Sequence, residues 1–200
     1  MSMMLNELTA VPVSVLPVAE FRDHLRLGTG FADVGAEDAA LQSYLRAALA
    51  AIEGRTDKVL IARDFRLTLT RWRGEDVQTL PISPVSAVTG MRLIDREGGE
   101  TLVPGTAYRL VQDLARPRIE ASGAQLPAIP TAGRVEVDFT AGFAATWAAL
   151  PVDLAQAVFL LAAQYYELRH DGAAEGGAMP FGVMALIERW RTVRVLGGRA

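Results

Sequence analysis

The 200-residue sequence contains no cysteine. That excludes a disulfide framework, a thiolate nucleophile and a zinc site built on sulfur. Histidine is scarce: the only two are His24 and His170. Each has an acidic neighbour, Asp23 and Asp171, but adjacent residues on a helix point in different directions, so neither pair is an orienting dyad. HExxH, GxSxG, GxxxxGK[ST] and GxGxxG are all missing. GTGFADVG, Gly28 to Gly35, is the nearest approach to a phosphate loop, yet it follows a helical pattern instead of a strand, which removes that reading. The acids of DREGGE, Asp95 to Glu100, lack the register of a calcium loop and suit a hairpin turn.

Basic excess is missing too. The net charge is −3 and the pI about 5.5, against the charge balance of a protein that grips duplex DNA by neutralising phosphates. No run of about 20 apolar residues offers a membrane span; the longest, from Val152, is interrupted by Asp153, Gln156 and Gln164. The opening MSMMLNELTAVPVSV has no positive n-region and carries Glu7, so residues 1–16 read as an N-terminal arm and not as a signal peptide. The expectation is no catalytic residue, no cofactor, no metal and no membrane contact.

What is present is enough apolar material for a core: 50% hydrophobic and 22% charged residues, the balance of an ordinary globular protein. Pro17 suits a first helical turn, and Val18, Phe21 and Leu25 follow at helical spacing. A second helix carries Leu41, Leu45, Ala48 and Ile52 on one stripe, with Asp33 or Gly35 as its cap and Gly54 ending the clean pattern. Near Asp64 the period changes from 3.6 to 2. DFRLTLTRW alternates, VSAVTGMRLID and TLV flank a Gly-bearing turn, and 108–111, 118–121 and 134–140 are further short strands. Helical spacing returns after Pro151, breaks in the glycines between 172 and 177, and resumes from Pro180 to about Val195. The fold class is α+β, a helical bundle of two N-terminal and two C-terminal helices with an inserted small antiparallel β unit. The expected divisions are an arm over 1–16, a helical core over 17–63 and 141–195, a β insert over 64–140, and a basic tail over 196–200.

VDLAQAVFLLAAQYYELRHDG, Val152 to Gly172, shows two apolar stripes where a helix with one wet side shows one. Leu154, Val158, Leu161, Tyr165 and Leu168 form the first. Ala155, Phe159, Ala162 and Tyr166 form the second. Either the β unit or a neighbouring copy of the chain could cover the second stripe, and periodicity leaves both open. The C-terminal arginines 189, 191, 194 and 199 make the most basic segment of an acidic chain. A helix dipole favours cations there, but the run continues past the expected helix end, so a docking surface is equally open. Phe181, Met184 and Trp190 add apolar anchors of the kind interfaces favour.

The order of these pieces resembles a known family. PVAEFRDHLRL, then EDAALQSYLRAALAAIEGRTDKVL with its Glu53–Gly54–Arg55 turn, then FRLTLTRW and LPISPVSAVTGMRLIDREGGE, is similar to the head–tail connector (adaptor) proteins of long-tailed phages and gene transfer agents, in the branch with a β insert. VEVDFTAGFAATWAALPVDLAQAVFLLAAQYYELRHDG and FGVMALIERWRTVRV continue the likeness over nearly the whole chain. Phe143 after Ala-Gly, and Trp190 where tyrosine is common, depart from the usual pattern.

The resemblance implies a non-enzymatic structural part. It implies a ring, commonly of twelve copies, under the portal, assembled in the bacterial cytoplasm and then held in the neck of the particle. Its partners are the portal, the stopper or tail-terminator protein, and sibling copies. DNA passes through the channel without sequence-specific binding, which suits an acidic chain. On this reading Ala155, Phe159, Ala162 and Tyr166 are inter-subunit contacts. Phe181, Met184, Trp190, Arg191 and Arg194 dock on the portal. The competing expectation is a small α+β enzyme or ligand-binding module of unknown substrate.

Overall fold

The computed structural model describes residues 2–26, 34–168 and 179–191, with backbone only for 34–36. The chain is α+β, with four α-helices among the described residues and antiparallel sheets that take a large share of it. It divides into two compact units. One takes Met1–Val11 and Ile61–Ala145, the other Pro12–Leu60 and Thr146–Ala200.

The first unit holds the strands. β1 (Met3–Glu7), β2 (Arg63–Leu69), β3 (Val77–Thr79), β4 (Val85–Ile94), β5 (Glu100–Leu102), β6 (Tyr108–Val111), β7 (Arg118–Ala121) and β8 (Arg134–Ala141) follow in chain order. They form a five-stranded sheet, β1-β2-β8-β4-β5, and a three-stranded sheet, β3-β7-β6. The alternation in DFRLTLT and RVEVDFT sets the pairing of the larger sheet: Phe65, Leu67 and Leu69 sit opposite Phe139, Val137 and Val135, and all six are buried. A one-residue slip would turn this whole set toward water. Two register shifts in β4, between Val85 and Ala87 and between Val88 and Gly90, bring Met91 opposite Val137 on the core side. Gly142 has φ +146°, and a Cβ there would fall 2.3 Å from the Ala62 Cα. Only glycine lets the chain leave β8 so close to another backbone.

Two sequence expectations change here, and one strand that the sequence did not mark is added. Residues 3–7, expected within an arm, are an edge strand paired with β2 from Met3↔Leu69 to Glu7↔Phe65; the pairing comes from a partner some sixty residues away, which local pattern does not show. The single inserted β unit is two sheets, one of which takes its edge from the N-terminus. β3, unmarked by alternation, forms because Gln78 is buried and its side chain serves the backbone, accepting from the Arg73 N–H (3.0 Å) and donating to the Thr79 carbonyl (2.7 Å).

The second unit holds α1 (Val18–His24), α2 (Val34–Thr56), α3 (Val152–Glu167) and α4 (Phe181–Ile187). α2 packs on α3, α3 on α4 and α1 on α2. Leu41, Leu45, Ala48 and Ile52 of α2 are fully buried, as are Leu154, Ala157, Val158 and Ala162 of α3. α2 begins at Val34, so Gly35 lies within it; Asp33 lies outside the described residues. The helix also runs through the expected Glu53–Gly54–Arg55 turn. The Thr56 hydroxyl donates to the Ile52 carbonyl (2.8 Å), and the Glu53 carboxylate reaches forward to accept the Leu60 N–H (2.8 Å). The chain turns at Asp57, at φ +57°. α4 is shorter than expected. A 3-10 turn, Glu188–Trp190, follows it, and the Arg191 N–H closes on the Glu188 carbonyl (3.2 Å) before the backbone extends. The expected continuation to Val195 lies outside the described residues.

Candidate assembly interfaces

The two stripes of α3 have different cover. Leu154, Val158 and Leu161 are core, while Tyr165 is half-buried and Leu168 is 41% exposed. On the second stripe Ala162 is buried, and Ala155, Phe159 and Tyr166 are half-buried. Phe159 sits in an aromatic cluster of its own unit, with ring centroids 5.1 Å from Trp147, 5.4 Å from His24 and 5.7 Å from Phe21. Tyr166 meets Tyr44 of α2 edge-on at 6.0 Å. A good part of what looks like spare apolar surface in the sequence is therefore covered within the chain by α1, α2 and the short turn at Trp147. His24 is a ring contact on an exposed position; His170 and Asp171 lie outside the described residues. Arg22 of α1 pairs with Asp38 of α2, and Asp23 is exposed.

Of the expected docking residues, Phe181 and Met184 lie on α4, Trp190 in the 3-10 turn after it and Arg191 just beyond. Phe181 opens α4 and is 89% exposed, the most exposed of the large apolar side chains among the described residues. Met184 lines an open groove of about 420 Å³ with Ala51, Gly54, Arg55 and Met179. Trp190 donates its indole N–H to the Asp153 carboxylate at 2.7 Å, and the Arg189 guanidinium holds the same oxygen at 2.7 Å while lying 4.6 Å over the Trp190 ring. This ties the end of α4 to the start of α3. Arg191 is exposed and pairs with Glu188 at 3.0 Å. Arg194 lies outside the described residues. Asp153 reads in the sequence only as an interruption of an apolar run; its role as anchor of Trp190 and Arg189 has no sequence signal.

The outward side of the five-stranded sheet carries a charge ladder. Asp138 of β8 takes both nitrogens of the Arg66 fork at 2.7 and 2.9 Å and also pairs with Arg92 of β4. Glu136 meets Arg66 at 3.2 Å, Arg134 at 3.1 Å and Arg92 at 3.7 Å, and the Thr140 hydroxyl donates to Asp64 at 2.6 Å. The Arg66 hydrogen bond outweighs burial and holds the Asp138 carboxyl below the usual aspartate range; the same bond raises the Arg66 pKa. The polar positions of RVEVDFT, at every second residue, carry the signal for this ladder. Its groups answer one another, and no group of three or more metal-ligating side chains occurs among the described residues.

No protein-family profile matches the chain, and no curated protein does. Solved structures do. The chain is 78% identical to one in the neck of an empty gene transfer agent (GTA) particle computed with C6 symmetry, with a TM-score of 0.89. It is 77% identical, at a TM-score of 0.86, to a chain of the virion of a native GTA particle. It is 71% identical, at 0.84, to a chain in the neck of a native GTA particle computed with C12 symmetry. Each match covers 98% of this chain and 100% of the other. Likeness at this level over the full length defines a structural particle protein and not an enzyme. The chain belongs to the head–tail connector (adaptor) family, and the symmetry of the two necks supports a ring of copies.

Proposed function

We propose that this protein is the adaptor ring of a gene transfer agent neck: twelve copies seated under the portal, joining it to the stopper or tail terminator, with DNA passing through the channel without sequence-specific grip. The observation that carries this reading is the full-length likeness to a chain in a neck of C12 symmetry. The acidic total supports the free passage of DNA, since ion pairs to phosphate would add affinity where sliding is needed. The helical part acts as a compact bundle, and assembly takes place in the bacterial cytoplasm. Phe181, with Met184, Trp190, Arg191 and Arg194, docks on the portal. The 89% exposure of Phe181 supports it as the leading anchor, and Trp190 is held in place through Asp153. Ala155, Phe159 and Tyr166 face the next copy with whatever surface the intrachain aromatic contacts leave open, whereas Ala162 is fully buried within the chain and serves the core. Mixing the purified chain with purified portal and measuring native mass tests the proposal. A complex carrying twelve copies per portal is expected; a portal of unchanged mass overturns it.

A further inference from the structure

Among the described residues both edges of the five-stranded sheet are open, and they are opposite edges of the same sheet: β1 on one side and β5 on the other. The hydrogen-bond phase tells which residues face outward. The Leu8 N–H donates to the Asp64 carbonyl and the Thr70 N–H to the Ser2 carbonyl, so the even-numbered residues of β1 bond to β2 in the β1–β2 register. Residues in an antiparallel pair alternate. The N–H and C=O groups of Met3, Leu5 and Glu7 therefore point away from the sheet. On β5, the Val103 N–H donates to the Met91 carbonyl and the Asp95 N–H to the Gly99 carbonyl, which leaves Glu100 and Leu102 facing outward. Among the described residues no strand pairs with either edge.

Edge strands are normally blunted by proline, lysine, bulges or inward charges. β1, MMLNE, has no proline, lysine or bulge, and both Met3 and Met4 are about half exposed, at 52% and 53%. Leu102 on β5 is 76% exposed. We infer that β1 of one copy pairs with β5 of the next, so that neighbouring subunits share a continuous sheet. A ring closes through head-to-tail contacts, in which two different patches of one chain meet. Opposite edges of one sheet supply such a pair, and β-strand addition is an established way for backbone edges to bind. The outward residues are two apart on both strands, so they match in register. Placing Glu100 against Met3 or Leu5 keeps it from Glu7, which is already paired with Arg63 at 3.0 Å. Two outward residues on β5 allow only about four backbone hydrogen bonds, so the edge contact assists a ring that forms on a template and does not hold chains together alone. Twelve five-stranded sheets side by side, at about 4.8 Å per strand, would run about 290 Å round and about 90 Å across. This inference rests on the ring reading above.

The chain's lack of cysteine allows a direct test. Met3→Cys/Leu102→Cys and Leu5→Cys/Leu102→Cys double variants, assembled on purified portal and treated with a short bis-maleimide, should give a ladder of cross-linked multimers; single variants should give dimers at most. Leu102→Pro and Leu5→Pro each delete one outward N–H while leaving every β1–β2 and β4–β5 bond in place, a position where proline is tolerated on an edge. Each variant should fold as the parent does by circular dichroism, bind portal, and lose at least tenfold in occupancy of the complete ring. Rings of parental mass from both proline variants, with no ladder from either cysteine pair, overturn the edge pairing and leave the ring reading standing. Failure of the unmodified chain to form any multi-copy complex with portal overturns both.

Discussion

Replacing Asp138 by asparagine removes the charge at the centre of the sheet ladder and keeps the shape. The side chain is 17% exposed, and the side chains of Arg66 and Arg92 are each 29% exposed. Hydrogen bonds to charged groups contribute about 1.5–3 kcal/mol each in net stability, and partial solvent access lowers that. Arg66 and Arg92 also keep Glu136, so neither is stranded. The expected loss is about 1–2 kcal/mol, or roughly 2–8 °C in melting temperature at about 2–4 °C per kcal/mol for a chain of this size. The pH dependence gives the sharper reading. A carboxyl whose folded pKa lies below its unfolded value of about 3.9 contributes stability above that value, and the contribution fades as pH falls through the folded pKa. Asp138 is such a group, held low first by its Arg66 hydrogen bond. Thermal melts followed by circular dichroism should therefore show parent and Asp138→Asn well separated at pH 7 and converging in acid. Equal melting temperatures at pH 7, or a gap that persists unchanged well below the folded pKa, would contradict the stabilising role given to the Asp138 charge.

Three further outcomes are expected. Phe159→Ala opens the cluster with Phe21, His24 and Trp147; because Phe159 is half-buried, the cost should be about 2–3 kcal/mol by urea unfolding, below the 3–5 of a fully buried ring, with a shift in tryptophan emission. Gly142→Ala forces a Cβ against the Ala62 backbone at φ +146°, and should cost about 2 kcal/mol or more in a denaturant titration. Phe181→Ser should change stability by no more than about 0.5 kcal/mol, as surface substitutions do, while weakening portal binding about tenfold or more by surface plasmon resonance.

How much of this is legible in the sequence differs by element. Period-two alternation in DFRLTLT and RVEVDFT marks β2 and β8, and alternation in the latter marks the ladder positions as well, because one face of each strand is buried and the other polar. Helical spacing marks α1, α2 and α3. β1 is not legible: MMLNE is short and, apart from the half-buried Leu5, exposed, and only its pairing with β2 makes it a strand. β3 depends on the buried amide of Gln78, a tertiary fact. The doubled stripe of α3 is legible as a pattern but not in its meaning, since Phe159 and Tyr166 find partners in Phe21, Trp147 and Tyr44, which are distant in sequence. The docking residues divide in the same way. Phe181 stands out only once its exposure is known, and Trp190 is fixed by Asp153 through a contact between the two ends of the helical segment. The family likeness succeeds where periodicity stops because it uses the order of all these pieces together.

The proposed place of this chain is a ring at the portal vertex. Particles assembled with a chain carrying a small fused tag, reconstructed by electron cryomicroscopy without imposed symmetry, measure it directly. Tag density repeated twelve times around the axis between portal and tail is expected; tag density on the capsid shell, along the tail, or in one copy at the vertex would contradict the proposed placement.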